Sequence, residues 1–180
     1  MTDKTALVLV DIQNDYFEGG LWPLHNMDTA AANAARLLVK ARVAGRIVIH
    51  VRHEGGETAP FFRPNSVGAQ IHDAVAPLPE EVVVLKHRPN SFHETDLLEH
   101  LQAAKITEVQ IAGAMAQMCI DATARAAKDF GFEVSVVADA CAAKAVDWNG
   151  VSVPAPAVMA SFMAALSGTY ARVIKTDEAA

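Results

Sequence analysis

The sequence predicts a three-layer α/β fold, in which a six-stranded, mainly parallel sheet carries helices on both faces. Short continuous runs of Val, Ile, Leu and Ala, such as residues 6–10 and 82–85, are typical of strands that are buried on both faces. Ala-rich stretches of helical length alternate with these runs. This alternation favours parallel strands joined by right-handed helical crossovers.

The first half of the chain supplies three predicted strands. A loop rich in Gly, Asn and aromatic residues follows the first strand, and Asp28 is then the expected N-cap of an Ala-rich helix that stops at Gly45. The second strand leads into a loop with two glycines and two prolines, which we expect near a binding site. The predicted strands are residues 6–10, 46–51 and 82–85, and the loop is residues 52–65.

The second half repeats the alternation. Thr95 can cap a helix that runs through Ala104, and a second helix starts near Cys119 and ends at Gly131. A last helix follows two prolines. The predicted strands are residues 108–112, 132–138 and 171–174, and the last helix is residues 157–167.

Length and composition predict one domain spanning residues 1–180. The formal net charge is -6 and the Lys and Arg residues are scattered, so neither a nucleic-acid partner nor a nucleic-acid site is expected. Apolar runs are too short for a membrane span, which needs roughly 20 residues. Two cysteines and no recognisable secretion signal predict a cytoplasmic location.

Three chemically useful side chains follow predicted strands. Asp11 closes the first strand, Lys86 closes the third, and Cys119 follows the fourth after a short loop. Parallel sheets bind ligands beyond the carboxyl ends of their strands, so we expect one site to contain all three. A thiol at a helix N-terminus would favour the nucleophilic thiolate, although a lone Cys is more often a small buried hydrophobe.

The motifs around these residues resemble the isochorismatase-like cysteine hydrolases. The resemblance spans nearly the whole chain, and its motifs occur in the family's order. It rests on Val10-Asp11-Ile12-Gln13-Asn14-Asp15, on Lys86 with Ser91-Phe92 and Thr95-Asp96-Leu97, on Gly113 through Cys119 with Asp121-Ala122-Thr123, and on Asp139-Ala140-Cys141-Ala142.

The resemblance implies a Rossmann-like fold and a catalytic triad of Asp11, Lys86 and Cys119. It also implies an oxyanion hole formed by the backbone N–H groups of Met115 and Cys119, and a cis peptide bond between Ala114 and Met115. No cofactor is expected, and the partners are a small-molecule amide and further copies of the chain, as a homodimer or larger assembly.

Two positions depart from the family pattern. Ala116 and Gln117 replace a Thr and a His that many relatives carry, which we expect to affect substrate preference. Phe17 and Phe92 neighbour the triad motifs and are weaker candidates for the substrate pocket, since ordinary packing explains such aromatics equally well.

The resulting hypothesis is an enzyme: a cysteine hydrolase that cleaves an amide, lactam or carbamoyl C–N bond through a thioester. The alternatives are a vinyl-ether hydrolase of the isochorismatase type, and a non-catalytic protein that binds a ligand or senses redox state through its thiol. Metal binding is not expected, because an Asp that zinc-binding relatives carry is absent. The histidines considered for it are His50, which lies in the second predicted strand, and His53 and His72, which we expect in loops. Cys141 is expected to be a buried structural thiol.

Overall fold

The computed structural model describes residues 4–179, so residues 1–3 and 180 of the predicted domain lie outside the described range. Its central sheet is formed by β1 (Thr5–Val10), β2 (Ile47–His53), β3 (Val82–Lys86), β4 (Glu108–Ala114), β5 (Glu133–Ala142) and β8 (Arg172–Ile174). The helices are α1 (Met27–Val43), α2 (Leu97–Ala103), α3 (Asp121–Asp129) and α4 (Ala155–Leu166), and β6 (Val146–Trp148) pairs with β7 (Val151–Val153) in a separate hairpin.

The six-stranded α/β fold is confirmed. The strand order is β3-β2-β1-β4-β5-β8, and every neighbouring pair is parallel. Side chains alternate between the two faces of a strand, so a strand buried on both faces contributes to two cores. In β1, Val8 and Val10 pack in the core under α2, α3 and α4, whereas Leu7 and Leu9 pack in the core under α1.

Helix α1 begins one residue before the expected N-cap, Asp28. Asn26 holds the N-cap position with a left-handed backbone (φ 57°) and makes no side-chain capping bond. Met27 is buried in the core, and this packing includes it in the first helical turn, ahead of Asp28. The hairpin β6–β7 was not predicted, and β5 extends four residues further than its predicted end at residue 138.

The sheet topology fixes where a ligand site can lie. From β1 the chain moves outward to β2 and β3, and after α2 it returns to β4 on the other side of β1 and moves outward again. A crevice forms beyond the carboxyl ends of two strands where the direction reverses, here β1 and β4. Within residues 4–179, no helix has the combination of length and apolar character that crossing a bilayer requires.

Candidate active site

The structure brings Asp11, Lys86 and Cys119 together at this crevice. Asp11 follows β1, Lys86 ends β3, and Cys119 lies in one π-helical turn (Ala116–Ile120) between β4 and α3. Lys86 Nζ donates to Asp11 Oδ2 at 2.7 Å and to Cys119 Sγ at 3.2 Å. The exposed fractions of Asp11, Lys86 and Cys119 are 0%, 0% and 4%, so these groups interact in a medium that screens charge far less than water.

The backbone between β1 and β4 sets the distance between the acid and the nucleophile. Asp11 has a left-handed conformation (φ 52°), and its N–H donates to Val51 O at 2.9 Å. Gly113 pairs with Val10 and has φ 130°, and a side chain there would overlap the Val10 carbonyl oxygen. The Ala114–Met115 peptide bond that follows is cis.

His53 is a site residue that the sequence analysis considered only for metal binding. Its Nδ1 lies 3.1 Å from Lys86 Nζ, so the ammonium has three neighbouring acceptors for its three N–H groups. Burial, followed by the positive charge of Lys86, lowers the pKa of His53 to about 4. His53 is therefore neutral near pH 7 and accepts from Lys86 through Nδ1.

The ammonium state of Lys86 is favoured by its neighbours. Burial alone would lower the pKa of Lys86, but the negative charge of Asp11 and the hydrogen bonds to Asp11 and Cys119 outweigh burial, and the pKa is raised. Lys86 is therefore positively charged near pH 7. A fixed positive charge between a carboxylate and a thiol can hold the carboxylate in place and stabilise the thiolate form of the thiol.

Asp11, His53 and Cys119 have the ligand types of a metal site, and their ligand atoms lie within 4.8 Å of one another. Lys86 Nζ is within hydrogen-bond distance of all three residues, so the cation that they share is the ammonium. A metal ion bound there would have to displace it. The absence of a resident metal thus stays a prediction, with a positive charge already at the centre of the cluster.

The other two candidate histidines lie elsewhere. His50 is buried in β2 and contacts Glu81 through Nε2 at 2.9 Å, while Arg42 binds the same carboxylate with two hydrogen bonds. His72 stacks on Phe17, with ring centroids 3.7 Å apart. His53 was expected in the loop after the second strand, but β2 extends through it, whereas His50 lies within the strand that the sequence predicted.

The resting thiol differs from the sequence-based expectation. Burial raises the pKa of the Cys119 thiol well above its usual value, Asp11 raises it further, and Lys86 offsets only part of the rise. A helix N-terminus is expected to favour the thiolate, but burial outweighs that effect. Cys119 therefore needs a base, and the second carboxylate oxygen of Asp11, Oδ1, is buried without a hydrogen-bond partner.

Gln13 and Asp15, both in the first motif, hold the surrounding loops and were not identified as functional from sequence. The Gln13 side chain accepts from the N–H of His53 at 2.7 Å and donates to the carbonyl oxygens of His53 and Ala69, each at 2.8 Å. The Asp15 carboxylate accepts from Phe62 N at 2.7 Å. The only sequence feature that could have indicated their role is their position two and four residues after Asp11.

Aromatic side chains close the site from the loop side. Phe62 is fully buried, and its ring centroid lies 4.6 Å from that of Tyr16 and 6.1 Å from that of His53. Burial raises the pKa of Tyr16 well above its usual value, and the negative charge of Asp11 adds to the rise. Tyr16 and Phe62 therefore shield the triad from solvent.

The two weaker pocket candidates have other contacts. Phe17 stacks on His72, and Phe92 packs against Phe130 and Phe132 with centroid distances of 5.2 and 6.4 Å. Because Phe132 precedes β5, at the amino ends of the strands, the contacts of Phe92 are those of core packing. Neither set of contacts adds support to a role in substrate binding.

The backbone around Cys119 leaves a donor for a ligand. Within residues 4–179, the hydrogen bonds of loops and turns do not include the Met115 N–H, whereas the Met115 carbonyl accepts from Met118 N and Ile120 N. A free N–H beside a nucleophile suits a developing oxyanion.

Cys141 is the second free thiol. It pairs with Gly113 in the sheet and is buried, as expected of a structural cysteine. Burial raises its pKa to about 12, which keeps it protonated.

We expect His53 to make the stability of the protein dependent on pH. The pKa of His53 is about 4 in the folded protein, against about 6.5 in the unfolded chain. Between these values the unfolded state binds more protons, so the free energy of unfolding falls as pH falls from about 6.5 toward 4. With allowance for partial exposure, the loss due to His53 is about 2 kcal/mol.

Urea unfolding at several pH values between 4 and 7 measures this loss. His53→Gln should flatten the dependence relative to wild type, whereas the exposed control His93→Gln should keep it. Equal slopes for wild type and His53→Gln would contradict the assignment of His53 as a neutral acceptor.

Comparisons with known proteins bear on this site. A family model described as the isochorismatase domain matches residues 5–153. An uncharacterized isochorismatase family protein of Bacillus subtilis is 49% identical over 176 residues, covering 97% of each chain. A maleamate amidohydrolase of Pseudomonas putida is 34% identical over 150 residues, covering 74% of this chain and 70% of its own.

Solved structures show the same fold. The crystal structure described as an isochorismatase hydrolase from Oleispira antarctica superimposes on this chain with a TM-score of 0.97. The two sequences are 50% identical, and the match covers 99% of this chain and 96% of the other.

Proposed function

The chain belongs to the isochorismatase family of hydrolases, and we propose that it is a cysteine amidohydrolase that cleaves the C–N bond of a small amide, lactam or carbamoyl compound. The observation that carries the proposal is the buried Lys86 ammonium in contact with both Asp11 and Cys119. The amidohydrolase among its relatives supports the choice of bond.

The first half of the reaction begins with a protonated thiol. Asp11 Oδ1, which has no other partner, takes the Cys119 proton as the substrate carbonyl approaches. Lys86 stabilises the thiolate that forms, and the sulfur attacks the carbonyl carbon. The carbonyl π electrons move to oxygen, and the N–H groups of Met115 and Cys119 donate to that oxyanion.

Collapse of the tetrahedral intermediate breaks the C–N bond. Asp11 returns its proton to the leaving nitrogen, which departs as ammonia or an amine, or stays on the opened chain of a lactam. An amide leaves a thioester on Cys119, whereas a carbamoyl compound leaves a thiocarbamate. Asp11 then deprotonates a water molecule that attacks the carbonyl carbon bound to sulfur, and the proton passes to the departing sulfur. The products are a carboxylic acid, or a carbamic acid from a carbamoyl compound, and the restored thiol.

The direct test is hydrolysis of a panel of small amides, measured as ammonia release from primary amides and N-carbamoyl compounds and as ring opening, followed by mass, of lactams. Cys119→Ala should lower turnover at least ~10³-fold, because it removes the nucleophile. Cys141→Ala, the matched substitution at the structural thiol, should stay within a few-fold of wild type. Acid quenching of the wild type followed by intact-mass measurement should find the acyl group on Cys119.

Two results would contradict the proposal. Turnover of isochorismate that survives Cys119→Ala would favour the vinyl-ether hydrolase, in which the thiol is not the nucleophile. Binding of small amides with no turnover by the wild type would favour a non-catalytic ligand-binding protein. Fast oxidation of Cys119 is not expected, because its thiol is buried and protonated.

A further inference from the structure

Several buried polar side-chain atoms in the described part of the chain lack hydrogen-bond partners. Within the described residues, four buried side-chain atoms have no hydrogen-bond partner: Asp11 Oδ1, Trp22 Nε1, His50 Nδ1 and Gln117 Oε1. A buried polar group without a partner costs free energy and calls for an explanation. The mechanism uses Asp11 Oδ1, and His50 belongs to the separate network with Glu81 and Arg42, so Trp22 and Gln117 are left.

Gln117 lies between the proposed oxyanion residue and the nucleophile. Its Nε2 donates to Lys144 O at 3.3 Å and lies 3.8 Å from Met115 Sδ. Exchanging the two amide atoms would place the oxygen against the carbonyl of Lys144, so this contact assigns the unpartnered atom as the oxygen. Gln117 thus presents a buried acceptor two residues from Cys119.

Trp22 presents the complementary group, an indole N–H. Its ring stacks on Phe61 with a centroid distance of 4.9 Å, and Phe61 in turn contacts Tyr16. Lys144 Nζ lies 4.9 Å from the centroid of the Trp22 ring. Lys144 therefore contacts Gln117 through its carbonyl oxygen and the Trp22 ring through its ammonium, so the two residues that carry the unpartnered atoms share one neighbour.

We propose that Gln117 Oε1 and Trp22 Nε1 recognise the part of the substrate beyond the scissile bond, and that the substrate carries a second uncharged amide group. Its N–H donates to Gln117, and its carbonyl oxygen accepts from Trp22. This inference rests on the proposed amidohydrolase function and specifies its substrate class. A carboxylate in the same place offers only acceptors, so it leaves the Gln117 oxygen without a donor.

A series of short aliphatic amides tests the proposal. Succinamide carries the second amide, 4-oxopentanamide replaces its NH₂ with a methyl group, succinamate replaces it with a charged oxygen, and butyramide lacks the second carbonyl. We expect kcat/KM for succinamide to exceed that for 4-oxopentanamide about 10- to 100-fold, because the ketone leaves the Gln117 oxygen unpaired. Butyramide should be poorer still, since it also leaves the Trp22 N–H unpaired.

Two variants test whether the substrate preference depends on Gln117 Oε1 and Trp22 Nε1. In Gln117→Met the ratio of succinamide to 4-oxopentanamide should fall to about 1, whereas Gln102→Met, the same change on the exposed face of α2, should keep the wild-type ratio. In Trp22→Phe the preference for 4-oxopentanamide over butyramide should disappear. A ratio unchanged in Gln117→Met, or absent in wild type, would overturn the proposal.

Binding separates this inference from the proposed function. Cys119→Ser, titrated calorimetrically with succinamide and 4-oxopentanamide, reports recognition without the thiol. A succinamide preference that Gln117→Met abolishes, found in a protein that hydrolyses no amide, would support the recognition site and reject amidohydrolysis. Amide hydrolysis that requires Cys119 but shows no such preference would do the opposite.

Discussion

Replacing Lys86 with Met is expected to abolish turnover and to destabilise the fold at once. Lys86 is fully buried and bridges Asp11 and Cys119 at 2.7 and 3.2 Å. Its removal leaves the Asp11 carboxylate buried without its cation, a change that costs about 3–5 kcal/mol of unfolding free energy. Turnover should fall at least ~10³-fold, because nothing else offsets the negative charge of a forming thiolate.

Urea unfolding and amide hydrolysis measure the two effects. The exposed Lys175 supplies the matched control, and Lys175→Met should leave both quantities near wild type. The double variant Asp11→Asn, Lys86→Met removes both charges, so it should recover part of the stability while remaining inactive. A folded Lys86→Met protein that keeps more than about a tenth of wild-type turnover would rule out the proposed role of the ammonium.

Gly113→Ala is expected to have the largest effect on stability, a loss of about 4 kcal/mol or more. Gly113 has φ 130°, and an added methyl group would overlap the carbonyl oxygen of Val10, to which it is paired. To relieve this overlap, β1 and β4 must move apart close to Asp11 and to the turn that carries Cys119. Any folded fraction should therefore also lose activity.

A second glycine, Gly131, separates the effect of the positive φ from the effect of the close approach of Val10. Gly131 also has a positive φ, 91°, but nothing lies within 4 Å of the position of its missing methyl group. Gly131→Ala should cost only about 1 kcal/mol, the price of the backbone conformation alone. If the two variants unfold at the same urea concentration, the close approach of β1 to β4 is not what requires Gly113.

The sequence predicted the elements that have strong local signals. Continuous apolar runs identified the six strands of the sheet, and the strand-end positions of Asp11 and Lys86 located the site. Boundaries were less accurate where packing competes with local signals, as at Met27, whose burial moves the start of α1 ahead of Asp28. The hairpin β6–β7 was missed although its turn, Asn149-Gly150, is a strong local signal: both residues have positive φ, as a two-residue hairpin turn requires, and alternating residues flank them.

Other features depend on contacts between distant segments. His53 ends β2, and only the pairing of β2 with β3 shows that it is the third acceptor of the Lys86 ammonium. The helix terminus is expected to lower the pKa of Cys119, but burial outweighs it and raises the pKa, and burial is a property of the assembled fold. The unpartnered oxygen of Gln117 likewise becomes visible only when every neighbouring donor is known.

The sequence by itself determined the sheet, its helical layers and which strand ends carry the acid, the ammonium and the thiol, because periodicity and strand-end position are local properties of the chain. The tertiary structure alone decided the protonation of these groups and the polar atoms left for a substrate. Those depend on desolvation and on hydrogen-bond partners, which segments far apart in the sequence supply only after they have packed together.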